Sequence, residues 1–322
     1  MIEIISGSSY SELNESIDQV KSNSPFLDIK FIQAMEKSKS IGKNTGWISF
    51  PLIAKRNNKI VGFMPIFLKE HSYGEYVFDH AWAQAFQQHG LNYYPKMISA
   101  IPFTPITGLR ILSNDIEIKK ALIKAIEKIL VEYKISSCHI LFPEKKDHEL
   151  FNEMGWLSRK GVQFKWHNNS YQTFSDFLET LSHDKRKKIK QERKKIKNNG
   201  IIIERKQGLD ISIDDIDFFY QCYCETYRLH NSAPYLKQSF FYELLKNMPT
   251  RLLVVIAKKN DLNIASALSI IGEDTLYGRY WGALGFFSGL HFELCYYQGQ
   301  EFCIENRIKY FEGGAQGEHK LA

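Results

Sequence analysis

Three segments near the C-terminus concentrate side chains able to do chemistry: Leu276-Tyr-Gly-Arg-Tyr-Trp-Gly282, Leu290-His-Phe-Glu-Leu-Cys-Tyr-Tyr297 and Tyr310-Phe-Glu-Gly-Gly-Ala-Gln-Gly-Glu-His-Lys320. Gly313, Gly314 and Gly317 permit backbone angles closed to other residues. A sharp turn after an apolar strand-like run can then present Glu312, Glu318 and His319 together. A carboxylate or an imidazole so placed moves protons in a transition state. Loops held by a rigid scaffold are where such groups collect. The competing reading is a glycine-rich turn whose polar residues are simply solvated.

The elements that must position these groups need a core. The chain has 322 residues, 44% of them hydrophobic and 14% aromatic, enough for about two domains and against wholesale disorder. The N-terminal residues carry no basic stretch followed by a long apolar run, so no secretory signal is expected. No segment reaches the ~18 consecutive apolar residues of a membrane helix. The five cysteines form no CxxC pair, and reduced thiols in a cytoplasmic protein are the expectation.

Taken in order, the first half alternates strands and helices. Residues 11–40 have helical spacing, broken at Ser24-Pro25. Trp47–Lys55 and Lys59–Leu68 are apolar runs joined by Asn57-Asn58, a hairpin signal. Tyr73–Phe78 reads as a strand, His80–His89 as a helix, and Met97–Ile101 as a strand. Pro102-Phe-Thr-Pro105 must be irregular, since its prolines donate no hydrogen bond. Asn114 with Glu117 has the form of a capping box before a long helix. Ser136–Phe142, Glu149–Met154 and Trp156–Trp166 follow as strand, short helix and closing strand. A basic helix opened by Asp176 and Glu179 begins the second half. Then come a strand at Ile201–Glu204 and helices around Ile216–Tyr227 and Phe240–Leu245.

The plan repeats at an offset of 203 or 204 residues. Ile256-Ala-Lys-Lys-Asn260 restates Ile53-Ala-Lys-Arg-Asn57, Tyr277-Gly-Arg-Tyr280 restates Tyr73-Gly-Glu-Tyr76, and Tyr296-Tyr297 falls where Tyr93-Tyr94 stands. Two tandem α/β (α+β) domains are expected, residues 1–166 and 167–322, each a mixed sheet with flanking helices. The second stops soon after its matching turn, so it is read as truncated at its C-terminus, with a sheet edge left open.

The chain resembles the FemAB-like group of tandem proteins with the GNAT (acyl-CoA N-acyltransferase) fold, described as related to peptidoglycan biosynthesis. The resemblance is carried by His71-Ser-Tyr-Gly-Glu-Tyr-Val-Phe-Asp79, Tyr94-Pro-Lys96 and Pro102-Phe-Thr-Pro105 in the first half. In the second half it is carried by Tyr277–Gly282, His291-Phe-Glu293 and Phe311–Lys320. It implies an acyltransferase that moves an acyl or aminoacyl group from acyl-CoA or aminoacyl-tRNA to the amine of a small molecule or cell-wall precursor. Glu312, His319 and Glu318 are then the candidate bases. Arg279 and Lys320 would pair with a phosphate or carboxylate of the donor. Tyr277, Trp281, Gly282, His291 and Glu293 complete the candidate binding set, and no metal is expected. His291 and Glu293 are alternate residues, expected on opposite sides of a helix start.

Arg279-Tyr-Trp-Gly282 begins like the GNAT phosphate loop, but Leu284 stands where that loop has its last small residue. Phe151 stands where the family commonly has a proton-donating tyrosine. The first domain is therefore read as structural or substrate-binding. The same departures support an alternative reading, a catalytically degenerate protein that binds a cell-wall precursor or a polyanion such as tRNA. Residues 185–197 hold nine basic side chains, among them Lys185, Arg186, Lys187 and Lys188. Such a run can contact phosphates without reading bases. It can equally be a solvated helix face, and it contains no aromatic residue on which a base could stack.

Overall fold

The structure is a computed structural model, and it describes residues 2–13 and 22–314. The chain forms two compact units, Met1–Gly161 and Val162–Ala322.

Unit 1 runs β1 (Glu3–Ser6), α1 (Ile29–Lys37), β2 (Trp47–Ser49), β3 (Leu52–Arg56), β4 (Lys59–Met64) and β5 (Ile66–Lys69). It continues with α2 (His80–Gln88), β6 (Lys96–Ser99), α3 (Ile116–Glu132), β7 (Cys138–Ile140) and α4 (Lys145–Glu153). Its strands lie in the orders β1-β3-β4 and β2-β5-β6-β7, all antiparallel except β6 with β7. Pro51 separates β2 from β3 and Pro65 separates β4 from β5. A proline has no N–H for the ladder, so two extended arms become four short strands. α3 buries Ile118, Leu122, Ile123 and Ile126 against Leu52, Ala54 and Met64. Its cap is Asp115, whose carboxylate accepts from the Glu117 N–H at 2.9 Å, one residue later than the Asn114 box suggests.

Unit 2 runs β8 (Trp166–His167), α5 (Phe174–Glu179), α6 (His183–Asn198), β9 (Ile201–Gln207), α7 (Ile213–Leu229) and α8 (Gln238–Asn247). Then come β10 (Leu252–Lys259), β11 (Leu262–Ile271), β12 (Thr275–Ala283), α9 (Leu290–Phe292), a π-helical turn (Glu293–Tyr297), α10 (Gln298–Glu305) and β13 (Tyr310–Glu312). One six-stranded sheet has the order β8-β13-β12-β11-β10-β9, antiparallel throughout except for β12 with β13. α5 and α6 are separate helices. Thr173 and Asp176 form the capping box of α5, and the basic run belongs to α6, which starts after Ser182.

The two hairpins are the same structure. Asn57-Asn58 and Asn260-Asp261 all have left-handed φ angles (50°, 60°, 50° and 61°), as a two-residue type I′ turn requires. Each hairpin carries a register shift at the same place, between Ala54 and Lys55 and between Ala257 and Lys258. Each also has an antiparallel neighbour on its first strand, β1 on β3 and β9 on β10. The other two sequence correspondences do not survive. Tyr277–Tyr280 lies in β12, whereas Tyr73–Tyr76 is irregular, turned by left-handed Gly74 (79°) and Tyr76 (57°). Tyr296 and Tyr297 lie in the π-helical turn, whereas Tyr93 and Tyr94 lead into β6.

The closing strand expected at Trp156–Trp166 is also different. Only Trp166 and His167 are extended, and they pair with Phe311 and Tyr310. They thus cover the edge of β13 that the sequence left open.

Candidate active site

β12 and β13 run parallel for three residue pairs, Thr275 with Tyr310, Leu276 with Phe311 and Tyr277 with Glu312. Beyond Tyr277 the ladder stops while β12 continues to Ala283. The ladder ends with β13 itself, so among the described residues β12 beyond Tyr277 has no ladder partner on the β13 side. The register with β11 also shifts here: Ser269 pairs with Gly278 and Leu268 with Tyr280, so Arg279 is the extra residue of a bulge. A bulge re-aims a side chain and resets the alternation of the strand. Before it, Leu276 packs in the core under α10. After it, Tyr280 joins Phe219, Tyr223 and Phe241 of α7 and α8, while Trp281 turns to the opposite face.

The bulged Arg279 is almost wholly buried and its Nη2 meets Glu312 Oε1 at 2.6 Å, with 3% and 8% of the two side chains exposed. The guanidinium carbon lies 5.5 Å from the centre of the Tyr277 ring. Burial first, then the Glu312 charge, raises the Tyr277 hydroxyl above its ordinary pKa. Arg279, Glu312 and Tyr277 therefore form one constellation where the β12–β13 ladder ends. Gly313 follows directly, and a Cβ on it would lie 2.9 Å from the Tyr296 ring. Gly317, Glu318, His319 and Lys320 lie outside the described residues.

The other candidates distribute differently. Trp281 contacts the His291 ring at 5.2 Å, and His291 contacts Tyr296 at 5.7 Å, an aromatic group beside the start of α9. Glu293 points elsewhere, into a buried network with Arg193 (3.0 Å) and Gln298 (2.7 Å). Gly282 has a packing reason: a Cβ there would stand 1.8 Å from the Cys222 carbonyl oxygen of α7. The glycine that resembles part of a phosphate loop is thus accounted for by close helix approach.

Lys185, Lys187 and Lys188 are exposed on α6 and Arg186 is half-buried. The same helix holds a residue the sequence reading passed over. Arg193 bonds both Glu293 and Glu301 (2.8 Å) and lies over the Phe174 ring at 4.9 Å. Beside it Glu192 accepts from the Tyr297 hydroxyl at 2.6 Å. Two adjacent charged residues dock α6, and an arginine inside a run of nine cations gives no sequence sign of being different. A groove of about 690 Å³ runs along this contact, lined by Phe174, Leu178, Ile203, Lys190, Lys194 and Lys197 among others.

Three solved structures share the fold. FemX is similar over 98% of this chain and 89% of its own, with a TM-score of 0.54 and 11% identity. The C-terminal domain of a putative lysylphosphatidylglycerol synthetase from Agrobacterium fabrum gives a TM-score of 0.58 at 11% identity, covering 95% of this chain and 78% of that one. L-PGS from Bacillus licheniformis gives 0.53 at 10% identity, covering 91% and 77%. At these identities the likeness establishes the fold. Comparison with curated protein sequences gives no significant match. A family profile described as peptidoglycan biosynthesis/recognition matches residues 2–322, so the chain belongs to the FemAB-like family.

Proposed function

We propose that the protein is a transferase that moves an acyl or aminoacyl group from acyl-CoA or aminoacyl-tRNA onto an amine, with the end of the β12–β13 ladder as its reaction site. The observation that carries this reading is the placement of a bulged, buried Arg279 against Glu312 where the ladder ends. Family membership and the fold shared with lysylphosphatidylglycerol synthetases support it. A peptidoglycan-precursor amine is the acceptor class that fits the family description.

In this reading the amine nitrogen attacks the donor carbonyl. A C–N bond forms and the C–S or C–O bond to the carrier breaks. The proton leaves the nitrogen, and the departing thiolate or alkoxide takes up a proton. N–H groups of the β12 edge beyond Tyr277 bond the oxyanion. Glu312 is the base in the described residues, and an anionic donor would compete with it for Arg279, which holds it at 2.6 Å. His319 and Glu318 remain candidate bases from the following segment, and Lys320 a candidate anchor beside Arg279.

The test is intact-mass detection of acyl transfer to small amines and lysine-containing muropeptides, with acyl-CoAs and charged tRNA supplied as donors. Glu312→Gln should be destabilised, because it leaves the buried Arg279 charge without its partner, and its folded fraction should lose about 10²–10⁴ in rate, the usual effect of removing a general base. Transfer at the unaltered rate would remove Glu312 from the mechanism.

A further inference from the structure

Lys69 and Lys96 are partners across β5 and β6, and neither is exposed to solvent. Like charges directly opposite in an antiparallel pair repel, and burial strips both of water. Apolar side chains would fill these sites with less strain on stability, so the cluster around them calls for a purpose.

Lys96 is saturated. Its three protons go to Glu75 Oε2 (2.8 Å), Ser72 Oγ (2.8 Å) and Asp79 Oδ2. Lys69 lies 3.9 Å from the centre of the Trp47 ring and donates to the Tyr73 carbonyl at 3.2 Å. Burial, opposed by Glu75 and reinforced by Lys96, lowers the Lys69 pKa to about 7. Asp79 is the N-cap residue of α2, yet its carboxylate makes no cap bond. It turns instead to Lys96 and to the Tyr93 hydroxyl at 2.7 Å.

The carboxylates are not saturated. Glu75 and Asp79 are 3% and 2% exposed, and Glu75 Oε1 and Asp79 Oδ1 have no hydrogen-bond partner. Both belong to carboxylates that share the Lys96 ammonium. The cluster lies one side chain below the surface. Ser72 bonds the half-buried Tyr94 hydroxyl at 2.7 Å, and Tyr93 reaches half-buried His139 at 3.3 Å. Its cover is the irregular segment between β5 and α2, which exposes Tyr73 (64%) and Phe78 (71%) just before Trp82 (58%) of α2.

We propose that this cluster in unit 1 is a binding site for a primary ammonium group. Two carboxylate oxygens without donors offer charge-assisted hydrogen bonds, and the surrounding aromatic faces attract cations. Lys69 is engaged elsewhere, at the Tyr73 carbonyl and the Trp47 ring, so among the described residues Lys96 is the one ammonium bonded to the Glu75 and Asp79 carboxylates. The site does not depend on transfer at the end of the β12–β13 ladder.

The probe is Nα-acetyl-L-lysine, whose only cation is a primary ammonium, added without any acyl donor to protein carrying ¹³C-labelled lysine. The ε-methylene resonances of Lys69 and Lys96 should shift saturably. Nα,Nε-diacetyl-L-lysine and glucose should leave them unmoved. Glu75→Gln should weaken binding at least about tenfold, the worth of one hydrogen bond to a charged group. Should that variant not fold, Tyr94→Leu removes a half-buried ring 5.9 Å from Lys96 Nζ and should weaken binding several-fold. Absence of shifts with the acetyl-lysine, or equal shifts with the blocked lysine or with glucose, would overturn the proposal and leave buried water as the occupant. Because no donor is present, a failure here leaves the transferase reading standing, and a failure of transfer leaves this site standing.

Discussion

Arg279, the extra residue of the β12 bulge, closes a 2.6 Å ion pair on Glu312, the last ladder residue of β13. With both side chains over nine-tenths buried, loss of one partner strands the other's charge. Arg279→Met should therefore destabilise the protein by about 3–5 kcal/mol in urea unfolding. Replacing both residues by methionine should recover most of that loss, because an apolar pair of similar volume has no charge to desolvate. A double variant no more stable than Arg279→Met would show that the pair does not act as a unit.

Gly282 should tolerate nothing larger. Its added Cβ would collide with the Cys222 carbonyl, which is backbone and cannot rotate away. Gly282→Ala should destabilise by roughly 1–3 kcal/mol, as overpacking does. Gly285→Ala, whose Cβ would meet only the Phe287 ring at 3.5 Å, should be close to neutral. Thermal melts of the two variants decide the matter. Equal effects would restore Gly282 to a role outside packing.

Within α6, one cation should matter far more to stability than its neighbours. Arg193→Met leaves Glu293, which is 3% exposed, without its charged partner and should destabilise by about 3–5 kcal/mol. Lys187→Met, on the exposed face, should stay within about ±0.5 kcal/mol.

Changing Lys185, Arg186, Lys187 and Lys188 together to glutamine should leave the melting temperature nearly unchanged and flatten the salt dependence of any polyanion binding. Filter binding of tRNA across a salt series measures this. No binding at low salt by the unaltered protein would exclude tRNA as a partner of this helix.

Lys69 sets a pH dependence of known sign. Its folded pKa, about 7, lies below the ordinary 10.5, so between those values the unfolded chain binds more protons than the folded one. Stability then rises with pH across that window, and the burial penalty is fully present below it. Unfolding of the unaltered protein followed from pH 7 to 10 should show the rise, and Lys69→Met should remove that component. An identical slope in the variant would place the Lys69 pKa near its ordinary value.

How much of this was legible follows from how local each signal is. The Asn57-Asn58 and Asn260-Asp261 turns announce themselves, because the residues that accept left-handed angles are few. The bulge at Arg279 has no such signature, since it depends on how β11 and β12 pair, and pairing is not written in either strand alone. The sequence grouped Arg279 with Glu312, and the structure brings them together. It also grouped Glu293 with them, where the helix turns that carboxylate toward Arg193 instead. Lys69 went unnoticed, and Lys96 stood out only within Tyr94-Pro-Lys96, for a plain reason. A lysine at the end of an apolar strand looks like the strand's exit into solvent, and only the cross-strand register reveals two of them face to face.

The short strand β8 has a consequence in time. Trp166 and His167 open unit 2, yet their partners Phe311 and Tyr310 are among its last described residues. Asn168 adds to the clasp, donating to the Ile308 carbonyl 140 residues away. On a ribosome, where chains emerge N-terminus first, the β9–β10–β11 part of the sheet can form while β8 waits for β13. Closing so long a loop is an entropic step that no local contact rewards in advance. Unit 2 should therefore finish folding later than unit 1 for a reason of connectivity rather than stability. Until β13 arrives, the N–H and C=O groups of β12 that pair with it stay unpaired, an edge open to wrong partners.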